Sequence, residues 1–489
     1  MKIFLLAAFF FLLTLNSFSQ QYSQYNTGTL YDSFENPSQK IFVPDTSRMF
    51  ASNMLVPSFN LNVLLAGDAQ TALKSRLFSS YYNTADLKVG AGRYNHLNAN
   101  ANFYSVMFKM FPNMNGNVEL GFAINTKAEA RGLVSDESVA LFNGTGNFPN
   151  NSYDNIFNDN FNYQLYQQVG FSYREQVTKQ FAIGIKLNAL SGVNYGRIQI
   201  DQSHIDFDKK NDAATLQLSG TAYQSGDGGR PFIQNFLPTF HNPGMSVSVG
   251  TSLKTPDGFT LQGNIKDLGF IHWNNSSTVD NFNNFGSPVT IHGLSTSFRE
   301  DSIYNKANFI ASSNQLNTGF NTHTNGLLEI SATKSYWLGN NETVRFSPTL
   351  ILSKELFDTR FTSVLVAPFH YQKFSITLTT AYNDLNLVNF GAQFMIKADN
   401  SEFFIGSESL FQTTGFISSA IHSSVNTTQP QTITNPTGYT GINYYVGYAL
   451  KFGSVIEPNM NSSHIPNGEK GFIGRIWDRI FPQDAIKAN

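Results

Sequence analysis

Cysteine is absent from all 489 residues. No disulfide framework can hold the chain, and no zinc or iron–sulfur site can be built on thiolates. Charge is scarce as well, at 13% Asp, Glu, Lys and Arg, against about 25% in an ordinary soluble domain. Long hydrophobic runs are missing beyond the extreme N-terminus. A multi-span helical membrane protein would need several, each about 20 residues long. The formal net charge of -2 and a pI near 6.5 argue against a nucleic-acid binder that works through a strong basic field. No nucleophile elbow, phosphate-binding glycine loop or His-Glu-x-x-His element occurs. What the chain does have is 45 Phe, 21 Tyr and 53 Asn, the Asn outnumbering the 32 Lys and Arg together. Mean hydropathy is nevertheless only -0.21. A membrane β-barrel needs that mixture, because one strand face meets lipid and the other an uncharged polar interior.

Residues 1–19 read as a secretory signal. Lys2 gives a minimal positive start, Ile3–Leu15 is apolar, and Ser17-Phe18-Ser19 supplies small residues at the cleavage positions. The run is short for a membrane span, and Asn16 follows it directly. With no cysteine after it, a lipoprotein anchor is excluded.

The body alternates with period two. Phe181, Ile183, Ile185 and Leu187 alternate with Ala182, Gly184, Lys186 and Asn188; Phe374, Ile376 and Leu378 alternate with Ser375, Thr377 and Thr379. Each run is about ten residues, the length at which a tilted strand crosses a bilayer. Starting near 49–64, runs follow near 97–109, 117–127, 165–174, 181–194, 244–254, 259–270, 327–337, 343–354, 360–370, 374–383, 387–397, 402–412 and 441–453. The expected fold is therefore all-β, a transmembrane antiparallel up-and-down barrel of about fourteen strands over 49–453. Segments 197–207 and 213–223 also alternate. They fit a hairpin inside an outer loop or two further strands, giving sixteen.

Residues 20–48 alternate poorly and are expected to form a periplasmic or plug segment. Asn36 could cap a helix with Pro37 at its first position. Residues 454–489 form a tail whose Phe472, Ile476, Trp477 and Ile480 recur at helical spacing among Arg475, Asp478 and Arg479. This periplasmic amphipathic helix could lie on the membrane, pack under the barrel or dock a partner.

Charged residues at inward parity carry the remaining signal. With Phe and Leu towards lipid, Glu119, Arg174, Lys186, Lys254, Lys266, Glu329 and Arg345 should face the lumen. A charge near the lipid midplane costs about 2–4 kcal/mol. They could line a solute path or simply brace a filled barrel. His204 and Asp206 share one strand face without a third ligand, so no metal is expected. No cofactor and no catalytic residue is expected, and the chain does not read as an enzyme.

The mature N-terminal segment, Leu30-Tyr31-Asp32-Ser33-Phe34-Glu35-Asn36-Pro37-Ser38 with Val43-Pro44-Asp45-Thr46-Ser47-Arg48, resembles an uncharacterised family of Bacteroidota outer-membrane proteins. That family is similar in build to the long-chain fatty acid transporter (FadL) superfamily, which includes type IX secretion-associated barrels. Asn36-Pro37-Ser38 is similar to the Asn-Pro-Ala signature of that superfamily, with Ser38 in place of Ala. The resemblance implies that Phe34, Asn36 and Pro37 belong to a plug that narrows the lumen. It also implies a bacterial outer-membrane location and a porin-like channel for a hydrophobic or amphipathic small solute. The alternative is a non-transporting scaffold, adhesion protein or secretion-system accessory. Outer-membrane lipid, a hydrophobic solute and a periplasmic or secretion-system partner are the expected contacts; nucleic acid is not.

Overall fold

Alternating side chains make each strand two-faced, and closing the sheet on itself buries one face while removing the exposed edges. The computed structural model shows this outcome. It describes residues 21–39, 48–78, 83–112, 116–226, 238–339, 343–358, 360–423, 439–456 and 471–480; the expected signal at 1–19 lies outside them.

Fourteen antiparallel strands close the barrel. Strand β1 runs in two pieces, Arg48–Ser52 and Ser58–Ala66. Then come β2 (Tyr94–Met110), β3 (Val118–Ser135), β4 (Asn160–Gln176) and β5 (Phe181–Asp208). Next are β6 (Pro243–Lys254), β7 (Phe259–Trp273), β8 (Leu327–Lys334), β9 (Thr349–Glu355) and β10 (Phe361–Tyr371). The ring ends with β11 (Phe374–Asn383), β12 (Val388–Lys397), β13 (Ser401–Ser407) and β14 (Tyr439–Val455). Each strand pairs with the next, and β14 pairs back onto both pieces of β1. The faces separate as the alternation requires. On β11, Phe374, Ile376 and Leu378 are exposed while Ser375, Thr377 and Thr379 are buried. An exposed ring of Phe and Leu around a polar interior is a lipid-facing wall.

Several sequence expectations change. The stretch at 197–207 is the continuation of β5, and Ala213–Gly226 folds back on it, so the ring stays at fourteen. β5 overshoots the barrel because its outer half pairs with that hairpin instead of a neighbouring barrel strand. The run at 402–412 is strand only to Ser407, and Leu410–Ser423 is helical. β8 ends at Lys334, and Tyr336–Leu338 pairs separately with Val344–Phe346. The plug helix α1 is Leu30–Glu35, capped by the Thr29 hydroxyl accepting from Asp32 N–H at 3.2 Å; Asn36 is its C-cap, not its N-cap. Thr29 wins because its extended backbone places the hydroxyl over the first turn.

The two ends of the barrel differ. One carries short turns. The other carries long connections that fold into a cap with an apolar core of its own, including Phe148, Phe157, Ile205, Phe207, Phe282 and Ile291.

Candidate functional site

The lumen is filled by residues 21–39, and the walls hold this plug by two contrasting means. Helix α1 is too short to be stable alone, so its orientation depends on what its ends and faces meet. Its N-terminal end points at acids: Leu30 N–H donates to Glu402 Oε1 at 2.5 Å, and upstream Ser23 N–H donates to Glu408 Oε1 at 2.8 Å. Its C-terminal end points at bases. Arg174 donates to Ser33 O at 2.8 Å and Asn36 O at 3.3 Å, and Lys186 Nζ to Phe34 O at 3.0 Å. Acid at the N-terminus and base at the C-terminus is the arrangement that a helix dipole favours.

Arg174 also donates to Pro37 O at 3.3 Å, to Gln39 Oε1 at 2.6 Å and to Glu119 Oε1 at 2.7 Å. It thus ties β3, β4 and the plug through one planar guanidinium. Lys127 lies 2.6 Å from Asp267, Lys186 lies 3.7 Å from the same carboxylate, and Lys266 lies 3.2 Å from Glu329.

Beside these ion pairs is a cavity of about 110 Å³, lined in part by Glu35, Asn102, Lys127, Glu129, Lys266 and Asp267. Glu35 accepts from Asn102 Nδ2 at 2.8 Å and Tyr104 OH at 2.6 Å. Burial alone would push its carboxyl up, but Lys127, Lys186 and Lys266 outweigh that and hold it below the usual range. Asp32 behaves oppositely. Burial pushes it up to about 6, against hydrogen bonds from Gly28 N–H and Gln39. A larger hollow of about 330 Å³, at Gly67–Gln70 and Ala85–Lys88, opens to solvent and holds no part of the plug.

The other face of α1 meets an aromatic wall. Tyr31 packs edge-on against Tyr104 (ring centroids 5.5 Å) and against Phe404 (5.6 Å), and Phe34 lies 6.2 Å from Tyr104. Ala51, Met107, Tyr445 and Ala449 are among the other members of the cluster.

Phe34, Asn36 and Pro37 are all buried in the plug. Asn36 Oδ1 accepts from Ser38 N–H at 3.2 Å, Ser38 Oγ at 2.9 Å and Asn264 Nδ2 at 3.1 Å. The Asn-Pro-Ser element is therefore a side-chain-closed turn that ends α1 and pins it to β7. Three wall glycines leave room for it. A Cβ on Gly121 would come within 2.9 Å of the Phe34 ring, and one on Gly184 or Gly250 would collide with the backbone of Pro37 or Ser38.

Glu119, Arg174, Lys186, Lys266 and Glu329 are buried. Lys254 is not: it ends β6 and is exposed beside the turn. Arg345 is half-buried in Val344–Phe346, paired with Trp337 and His370 at the short-turn rim. Parity puts a residue on a face, but only the middle of a strand is enclosed. His204 bridges Asp154 at 2.6 Å and Asp206 at 3.0 Å in the cap. Among the described residues no group of three or more acids and histidines is placed to hold a metal.

Asp267 escaped the sequence reading. A bulge between Ile265 and Leu268, with Asp267 at φ +48°, turns both Lys266 and Asp267 inward. Strict alternation would have sent Asp267 to lipid.

The wall is interrupted once beside the aromatic cluster. Between Ser52 and Ser58, β1 leaves the sheet opposite a shift in β2 between Tyr104 and Val106. Asn53, fully buried, substitutes for the lost rungs. Its side chain accepts from Met107 N–H at 2.9 Å and donates to Val56 O at 3.0 Å and Ser105 O at 3.2 Å. Met54 and Leu55 have φ of +48° and +65°. They and Val56 project outward, Leu55 being 75% exposed. Left-handed backbone at two bulky residues is costly, and Pro57 offers no donor to restore pairing.

Fold and site together define a closed fourteen-strand barrel with an internal N-terminal plug. The chain belongs to a family of unknown function, DUF5723, which it matches over residues 39–408. Among curated proteins no match is found. Among solved structures it is similar to the toluene transporter TodX of P. putida, with 7% identity, TM-score 0.41, and 90% of this chain and 96% of that one covered. A FadL homologue from Pseudomonas aeruginosa gives 9% identity, TM-score 0.40, and 90% and 99% coverage. The translocator domain of autotransporter NalP from Neisseria meningitidis gives 6%, TM-score 0.33, and 82% and 88%.

Proposed function

We propose that this protein is a channel of the bacterial outer membrane, built like the FadL transporters, that passes a small hydrophobic or amphipathic solute. The long-connection end then faces outwards and the short turns face the periplasm. The observation that carries this reading is the detour at 53–57. It places an apolar, strained break in the strand pairing beside Tyr104 of the aromatic cluster that also holds Tyr31 and Phe34. A solute leaving the lumen there enters lipid without crossing the ionic wall. The plug keeps polar solutes from leaking through.

Uptake of a panel of small aromatic and aliphatic amphipaths into proteoliposomes tests it, with Ala51→Leu and Ala449→Leu as variants that add bulk to the cluster inside the detour. Uptake should exceed that of protein-free vesicles and fall several-fold in the variants, with heat-modifiable gel mobility showing that the barrel has folded. Equal uptake with and without protein, or indifference to the fillings, defeats the proposal. One observation favours the alternative of a scaffold or adhesion protein. The cap has its own core and exposes Phe298, Tyr304, Phe309 and Leu316. On that reading, charged substitutions at these four sites abolish binding to a partner cell or protein and leave uptake untouched.

A further inference from the structure

Outside the lumen, the described part of the tail forms α2 (Phe472–Ile480), and α2 is docked on the outer wall of the barrel. Glu175 sits at the short-turn end of β4, at the same parity as Phe171, which is 62% exposed towards lipid. Glu175 is nevertheless only 1% exposed, because α2 covers it. It accepts from Ile473 N–H and Gly474 N–H, both at 2.8 Å, while Tyr173 OH accepts from Phe472 N–H at 3.0 Å. A buried carboxylate thus satisfies the first donors of the helix and meets the positive end of its dipole. Trp477 packs tilted against Phe181, ring centroids 5.4 Å apart, and Gly474 is buried.

At about 100° per residue, Ile473, Gly474 and Trp477 form the side against the barrel. One flank then presents Phe472, Ile476 and Ile480, all exposed, at 63%, 40% and 62%. The side facing away from the barrel presents Arg475 and Arg479, also exposed. Arg475 and Arg479 point almost directly away from the barrel, and the apolar flank lies between them and the wall. A helix clamped to a lipid-facing wall with an apolar side and a basic side both exposed suits the boundary of two media, hydrocarbon and the headgroup layer. On the strands beside it, Phe171, Leu187 and Leu253 are likewise exposed on the lipid-facing side of the wall.

We propose that α2 is an in-plane membrane helix: Phe472, Ile476 and Ile480 enter the periplasmic leaflet, and Arg475 and Arg479 pair with phospholipid phosphates. Glu175 fixes its depth and direction. The occupant of the exposed apolar flank is lipid, not a protein. The proposal rests on the barrel spanning a membrane and not on which solute, if any, it carries.

Because the chain has no cysteine, single labels are unambiguous. Spin labels at Ile476→Cys and Arg479→Cys are read in the full-length protein, in vesicles of phosphatidylglycerol and phosphatidylethanolamine. Relaxation by oxygen, which partitions into lipid, is compared with relaxation by a water-soluble nickel chelate. Leu378→Cys, on the lipid-facing wall, is the control for insertion. At 476 the oxygen-to-nickel ratio should approach that at 378 and exceed that at 479 several-fold. With Leu378→Cys lipid-exposed, nickel access at 476 equal to that at 479 overturns the proposal and leaves the flank for a periplasmic protein. Water exposure at 378 overturns the membrane-spanning premise and the channel reading with it.

Discussion

The two walls that hold the plug are made of different chemistry and should fail differently. Around Arg174, Lys186, Lys127 and Asp267 the contacts are ionic, buried and mutually dependent. Around Tyr31, Phe34, Tyr104 and Phe404 they are aromatic and adaptable. Losing one member of a buried ion pair strands the other without water, whereas truncating a ring leaves a space that neighbours partly refill. The ionic wall therefore fixes where the plug sits. The aromatic wall, next to the broken strand, is where it can yield.

The largest expected effect is Arg174→Met. It leaves Glu119 buried with one cation lost and removes four donations to the plug. Plug protection against hydrogen exchange over 21–39 should fall by about 3–5 kcal/mol, with strand protection kept. Phe34→Ala should cost somewhat less, about 3 kcal/mol by the same measurement. If the order of these two were reversed, the division of labour between the walls would be wrong.

Asp32 gives a smaller effect with a definite sign. Its seated pKa, about 6, is above the ordinary carboxylate value of 3.8. The seated plug therefore binds this proton more tightly than the released one. That contribution is complete below about 4 and is lost as pH rises through about 6. Plug protection, corrected for intrinsic exchange, should decline over that window. Asp32→Asn should flatten the decline. The smallest effect belongs to Lys254→Ala, which should change stability by less than about 0.5 kcal/mol in urea unfolding, because the side chain is solvent-exposed.

Strand existence was legible because lipid and lumen impose opposite demands on alternate residues. Phe374, Ile376 and Leu378 announce β11 without any tertiary information. Boundaries were less legible where alternation continues past the barrel. β5 runs on into the cap, and Leu410-Phe411 looks like more strand although the chain has already turned into a helix. The plug was legible only as a segment that fails to alternate. Its capping was misjudged because Thr29 and Asn36 are both good cap residues, and only packing chooses between them. Most of the ionic wall followed from parity. Asp267 did not, since one extra residue at a bulge reverses parity locally. Glu129 was passed over because β3 continues beyond the 117–127 run, and Lys127, of inward parity, because it stands at the run's last position. No local pattern could have paired Arg174 with carbonyls more than a hundred residues earlier.

The central claim is that residues 21–39 are seated inside the lumen in the resting protein. Ser33→Cys tests it most directly. The native serine is 2% exposed, the change is nearly isosteric, and no other thiol is present. A membrane-impermeant maleimide is added to the full-length variant in lipid, and the rate is compared with that in the urea-unfolded chain. The account predicts labelling slower by at least about a hundredfold, rising sharply when Arg174→Met is added. Labelling at the unfolded rate would contradict it.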